Sequence, residues 1–180
     1  MCTIMIIIQI IFTFCSISLT AISRKRNDAV VMKYIPISLY KQFVWKNIPQ
    51  IILNTLVIIG VIILLTISIP HISILYYLVG SVIAMILNII DSFLMVIVDL
   101  RKPNLNWTTE ISVLKDNGNK LYQYVTTIII SLLLIYFTKI FENINIKISL
   151  CAIIFILIFI LLIINILVKK NINKLFEKIN

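Results

Sequence analysis

The chain has 180 residues, of which 61% are hydrophobic and 13% charged, with a formal net charge of +9 and a mean hydropathy of +1.11. This composition excludes an ordinary soluble domain, because too few polar residues remain to cover its surface. Only three Gly and four Pro occur, which favours long helices over a barrel of alternating strands. The sequence therefore predicts an all-α, polytopic helical membrane protein with short interfacial helices, forming one transmembrane domain over residues 1–180.

Five apolar runs are long enough to cross a hydrocarbon layer of about 30 Å as helices. They are predicted at Cys2–Ser23, Ile48–Ile69, Ile72–Val98, Leu121–Ile140 and Ile148–Val168. The first run carries no charge up to Thr20 and is longer than the apolar core of a signal peptide, so we interpret it as a span. Polar loops at 24–47 and 99–120 are predicted to face the cytoplasm.

The basic residues predict the orientation. Five spans place residues 24–46, 99–120 and 169–180 on one side, and these segments hold six, four and four of the sixteen Lys and Arg. The positive-inside rule makes that side cytoplasmic, with the N-terminus outside and the C-terminus in the cytoplasm of a multi-pass plasma-membrane protein. The charge is then explained by topology and by anionic lipid, so membrane lipid is an expected partner and nucleic acid is not.

The loop 24–47 contains two helix signals. Asn27 and Asp28 are suited to cap a short helix that ends near Met32. Pro36 breaks that helix, and Ser38 is suited to begin a second one that runs into the next span. We interpret the second piece as an interfacial helix, with a surface for a cytoplasmic partner as the alternative.

The loop 99–120 reads as a fixed elbow followed by a short helix. Pro103 ends the third span and keeps the preceding residue out of the α region. Thr108 or Thr109 can begin a short helix with an acidic residue in its first turn. Gly118 is suited to a left-handed cap that ends this helix.

Two polar stretches separated by two spans stand out from the apolar background. Ala21–Ser38 reads AISRKRNDAVVMKYIPIS, and Asp99–Leu121 reads DLRKPNLNWTTEISVLKDNGNKL. Together they resemble the membrane subunits of type-2 ABC exporters. In the first stretch this family tends to show Ser-Arg-Glu-Gly, then Lys, then Leu- or Ile-Pro-Ile. In the second it tends to show Asp, a basic-Pro pair, Asn-Trp or Asp-Trp, and Lys-x-Asn. Lys25 and Arg26 depart from this pattern, since they stand where the family has Glu and Gly. The chain resembles the C-terminal portion of a larger permease.

The resemblance implies a permease component that couples a separate ATP-binding-cassette ATPase to export and is not itself an enzyme. It also implies further permease helices or a second permease copy as partners. The residues that it marks as candidates for contact with the ATPase are Arg24, Lys33, Trp107, Glu110 and Lys115. The only glycines are Gly60, Gly80 and Gly118, which form no phosphate-binding loop, and we expect no cofactor.

Polar residues also occur inside the third predicted span, where Asn88 and Asp91 are the candidate sites. They share one helical face with other small or polar residues, namely Tyr77, Gly80, Ser81, Ala84 and Ser92. A carboxylate at this depth should face protein or a water-filled cavity. Asp91 is either a substrate-path or proton-linked residue, or a hydrogen-bonded contact with Asn88 or with Asn54 and Thr55 of the second span.

The sequence predicts no catalytic or metal site, because its three cysteines lie in apolar runs without paired spacing and only one His occurs. Two other classes of function remain open. One is a small accessory or immunity-type integral membrane protein without transport activity. The other is a membrane-embedded enzyme, which would depend on Asp91 or Asp99.

Overall fold

The computed structural model describes residues 17–71, 73–109, 112–113, 117–140 and 146–177. Two 3₁₀ segments, Ser18–Thr20 and Ser23–Lys33, precede the long helices. In the described residues four long α-helices follow, which are α1 (Leu39–Ser68), α2 (Ile74–Arg101), α3 (Lys120–Ile140) and α4 (Ile146–Glu177). The described residues contain no strand, so the prediction of an all-α polytopic protein is confirmed.

All four helices are long and apolar enough to cross a membrane. They correspond to the second to fifth predicted spans. Residues 2–16 of the first predicted span lie outside the described residues, and its remainder forms the Ser18–Thr20 turn and the residues beside it. α1 has 30 residues and α4 has 32, so at about 1.5 Å per residue both exceed a layer of about 30 Å and extend beyond it.

The predicted interfacial helix and the second span are one continuous helix. α1 begins at Leu39 directly after Ser38, as expected, but the Ser38 side chain makes no capping bond. The carbonyl of Ser38 instead accepts the backbone N–H of Gln42 at 3.1 Å. Pro49 lies inside α1 without ending it.

The two polar stretches differ from prediction at their helix ends. The first forms a 3₁₀ helix from Ser23 rather than a helix capped by Asn27 and Asp28. Lys102 follows the last residue of α2 with φ −140° and ψ 70°, which lies outside the α region, as expected before Pro103. The prediction of a left-handed cap at Gly118 is wrong, since its φ lies outside the left-handed region.

α2 is the central helix of the bundle. In its most apolar 18-residue window 56% of the residues are buried, against 11% to 17% in the other three helices. One core cluster joins the Ser23–Lys33 segment to the adjoining ends of α1, α2 and α4, and includes Ile22, Met32, Phe43, Leu100, Ile172 and Phe176. These ends therefore lie together, and we call them the basic end. A second cluster packs α2 against α3 and α4.

Candidate functional site

Asp99, near the end of α2, binds the start of the Ser23–Lys33 segment. Its Oδ2 accepts the backbone N–H groups of Ile22 at 2.7 Å and Ser23 at 3.0 Å. Its Oδ1 accepts the hydroxyl of Ser23. The first N–H groups of a helix have no partner within it, and a local side chain usually accepts their hydrogen bonds. Here the carboxylate of Asp99, from a helix distant in the chain, accepts them instead.

Ser23 also connects to the second polar stretch. Its hydroxyl accepts the backbone N–H of Asn104 at 2.9 Å, and its carbonyl accepts the indole N–H of Trp107 at 2.8 Å. Ser23, Asn104 and Trp107 belong to the two polar stretches, Ala21–Ser38 and Asp99–Leu121. Those stretches therefore meet in one buried, hydrogen-bonded junction, which we call the Ser23–Asp99 junction.

Two cations bind backbone carbonyls beside the junction. Arg24 donates from Nε to the hydroxyl of Thr20 at 2.9 Å and from Nη2 to the carbonyl of Ile17 at 3.0 Å. Lys46 of α1 donates from Nζ to the carbonyl of Ala21 at 2.9 Å. Arg24 thus binds the Ser18–Thr20 turn and the residue before it, and Lys46 binds the residue after it. Through Lys46, α1 is connected to the same junction as α2.

An apolar patch lies exposed on the surface of the basic end. The side chains of Val31, Tyr34 and Ile35 are 53%, 80% and 40% exposed. They come from the last turn of the Ser23–Lys33 segment and the two residues that follow it. Lys33 lies between them and is partly buried. We call Val31, Tyr34 and Ile35 the exposed patch.

The predicted contact residues are partly brought together. Arg24 and Trp107 both lie at the junction. Lys33 is the last residue of the 3₁₀ segment whose first residue, Ser23, belongs to the junction. Glu110 and Lys115 lie outside the described residues.

Thr109 and Ser112 form a reciprocal cap at the position where the sequence predicts the start of a short helix. The backbone N–H of Ser112 lies 3.3 Å from Thr109 Oγ1, and that of Thr109 lies 3.3 Å from Ser112 Oγ. Two polar side chains exchanging backbone bonds in this way form the start of a helix. The position of the cap at Thr109 agrees with the sequence-based expectation.

The elbow between α2 and α3 is also anchored. Asn119 donates from Nδ2 to the carbonyl of Lys102 at 2.9 Å. Lys102 Nζ lies 3.1 Å from the hydroxyl of Tyr122 and 5.5 Å from the centroid of its ring. These contacts connect the last turn of α2 to the first turn of α3.

Farther into the bundle, a row of polar side chains lies between α1 and α2. Asn54 donates to Asn88 Oδ1 at 2.9 Å, and Asn88 donates to the carbonyl of Ile51 at 3.2 Å. Ser92 donates to Asn47 Oδ1 at 2.7 Å. Apart from Ile51, these residues are fully buried.

Asp91 lies in the same row with fewer partners. Its Oδ2 accepts the side-chain amide of Gln50 at 3.4 Å, while Gln50 Oε1 accepts the backbone N–H of Ser18 at 2.7 Å. The sequence predicts Asn88, or Asn54 and Thr55, as partners of Asp91, whereas the partner in the structure is Gln50. Asn47, Gln50 and Asn54 recur at steps of three and four in an apolar helix, and this periodicity was the available signal.

The described residues hold no group of three His, Cys, Asp or Glu side chains that could bind a metal ion. Comparison with known proteins finds no family model, no curated protein and no solved structure that matches the chain.

Proposed function

We propose that this protein is a membrane-spanning permease component of an ATP-binding-cassette exporter in the plasma membrane. In this proposal it couples a separate ATPase to substrate export and carries out no chemistry on the substrate. The basic end faces the cytoplasm, where the ATPase docks, as the distribution of Lys and Arg favours.

The observation that carries the proposal is the Ser23–Asp99 junction. A subunit that transmits the closure of an ATPase needs a cytoplasmic segment that is rigidly joined to its spans. Here the Ser23–Lys33 segment is bonded to α2 through Asp99. Ala21, two residues before the segment, is bonded to α1 through Lys46. A displacement of that segment would therefore move both helices, because packed elements joined by hydrogen bonds shift together.

The exposed patch supports a protein partner at this end. Its three apolar side chains follow directly on the segment that the junction holds. Lys25 and Asp28 are exposed on the same segment. Apolar groups with charged residues around them are typical of a protein-binding surface.

The outward faces of the long helices support the remaining partners. Large apolar side chains are exposed along α1, α3 and α4, for example Leu56 at 60%, Leu132 at 59% and Phe155 at 73%. Lipid covers such faces in a membrane, and so do neighbouring helices. We propose that further permease helices or a second permease copy cover part of this surface.

Co-purification tests the proposal. The tagged chain would be extracted from its native membranes in mild detergent, and proteins bound to it would be identified by mass spectrometry. We expect an ATP-binding-cassette protein with the parent chain and much less of it with Tyr34→Ala. Tyr136→Ala is the matched control, because Tyr136 is 61% exposed and lies near the far end of α3.

Recovery of other membrane proteins without any ATPase would contradict the proposal and favour the accessory-protein alternative. Equal recovery of the ATPase with Tyr34→Ala would leave the exporter assignment in place but exclude the exposed patch as the docking surface.

A further inference from the structure

Two buried carboxyl groups on α2 differ in the number of hydrogen bonds that they accept. Asp91 and Asp99 are 1% and 0% exposed and lie eight residues apart, or about 12 Å along the helix. Both oxygens of Asp99 accept hydrogen bonds, from two backbone N–H groups and one hydroxyl. Asp91 has one donor, the amide of Gln50 at 3.4 Å. Among the described residues its Oδ1 has no partner.

A second unpaired oxygen lies in the same row. Asn54 Oδ1 is buried and, among the described residues, also lacks a hydrogen-bond partner. Gln50 bonds Asp91, and Asn54 bonds Asn88, so these pairs are neighbouring levels of one helix interface. Both unpaired atoms are acceptors, and two buried acceptors without a donor are costly in a low-dielectric interior.

Among the described residues, no charged side chain pairs with Asp91. On α1 the nearest described cation is Lys46, four residues before Gln50, and it donates to the carbonyl of Ala21 instead. On α2 itself the nearest charged group is Asp99. The Ser18–Thr20 turn, which packs against α2, contributes no charged side chain. On α4, three lysines near the end of the helix are exposed at the basic end, namely Lys169, Lys170 and Lys174.

We propose that Asp91 is a proton-binding site within the spanning part of the bundle, with the proton on Oδ1 and Asn54 Oδ1 as its acceptor. Binding one proton turns Oδ1 from an acceptor into a donor, and Asn54 Oδ1 is the other buried oxygen of this interface that, among the described residues, lacks a donor. Oδ2 remains the acceptor for Gln50. The site takes up a proton without any other reactant.

A metal cation fits these residues less well. Asp91 Oδ1 and Asn54 Oδ1 supply two oxygen ligands, whereas hard cations such as Ca²⁺ and Mg²⁺ take six or more. The amide groups of Gln50 and Asn88 also point N–H donors into this interface, and such donors repel a cation. A proton needs neither a coordination shell nor a cavity.

The proposal does not depend on the exporter assignment. It predicts that Asp91 is neutral and Asp99 ionised in the same helix at neutral pH. Loss of the proton would place an unpaired charge between α1 and α2, so occupancy of the site controls how stably these helices pack.

Infrared difference spectroscopy tests the proposal directly. The full chain would be measured in lipid nanodiscs at neutral pH, where a protonated carboxyl gives a C=O stretch that is separate from the amide bands and shifts in D₂O. We expect this band in the parent protein and in Asp99→Asn, and its loss in Asp91→Asn. Asp28→Asn, at an exposed carboxylate, is the control and should also retain the band.

A second variant keeps the test decisive if Asp91→Asn folds poorly. Gln50→Leu removes the one donor to Asp91 Oδ2, so the band should move to higher frequency without disappearing. Absence of the band in the parent protein, or its persistence in Asp91→Asn, would overturn the proposal. An unchanged band position in Gln50→Leu would also overturn the assignment to Asp91.

Discussion

The backbone N–H of Ser23 lies 3.0 Å from Asp99 Oδ2, and the Ser23 hydroxyl donates to the other oxygen of the same carboxylate. The two residues are 76 positions apart in the chain. Asp99 therefore fixes where the Ser23–Lys33 segment begins and holds it to α2.

Asp99→Ala should lower stability more than any exposed carboxylate variant. It removes the acceptor for the N–H groups of Ile22 and Ser23, and each buried group left without a partner costs about 1–3 kcal/mol. Asp28→Ala is the control, and because Asp28 is exposed we expect a change within about 0.5 kcal/mol. The measurement is the free energy of unfolding in detergent for both variants. Equal losses would mean that Asp99 does not hold the segment.

Trp107→Phe should weaken the junction while keeping most of the aromatic packing. The variant lacks the indole N–H that bonds the carbonyl of Ser23 at 2.8 Å, and one such bond contributes about 1 kcal/mol. The chain has one other tryptophan, Trp45, which is 58% exposed. Thermal unfolding followed by circular dichroism should show a lower Tm for Trp107→Phe than for Trp45→Phe. A larger effect at Trp45 would contradict the assigned role of the indole.

A double-mutant cycle on Asn54 and Asn88 should reveal coupling between α1 and α2. Each single change to Leu leaves the other amide buried without its 2.9 Å partner, so each single variant should be less stable than the parent. The double variant should recover part of the loss, with a coupling energy of about 0.6–1.7 kcal/mol, as found for hydrogen bonds between membrane helices. Strictly additive losses would show that the two amides do not interact.

Phe43→Ala should destabilise the basic end. Phe43 is fully buried and meets Phe93 edge to face, with ring centroids 5.2 Å apart. Removing a buried phenylalanine costs about 3–5 kcal/mol because a cavity remains. Leu56→Ala on the same helix is the control, since Leu56 is 60% exposed and faces away from the core. Limited proteolysis within the Ser23–Lys33 segment should be faster in Phe43→Ala only.

Hydrophobicity was enough to predict the helices. α2, α3 and the apolar part of α4 lie close to their predicted ranges, because runs of about 20 apolar residues leave the chain no other way to satisfy its backbone in a membrane. The predicted start of the second span, Ile48, was less accurate, because α1 begins at Leu39. The residues from Leu39 to Lys46 are amphipathic, so hydropathy alone does not extend the span through them.

The junction could not be predicted in the same way. Asp99 was noted as a member of a polar stretch, yet its partner Ser23 is one of many serines and bonds through its backbone as well as its side chain. A contact across 76 residues depends on how α1 and α2 pack, which local sequence does not specify. The polar face of Asn47, Gln50 and Asn54 could have been found from its spacing, and it would have suggested Gln50 as the partner of Asp91.

Photocross-linking from Tyr34 is the most direct test of the central claim that the basic end docks an ATPase. A photoreactive amino acid would replace Tyr34 in the exposed patch, and in a parallel variant Leu56 on the outer face of α1. After illumination of native membranes, we predict a cross-link from position 34 to an ATP-binding-cassette protein, and none from position 56. A cross-link from position 34 only to lipid, or only to proteins without an ATP-binding cassette, would contradict the account.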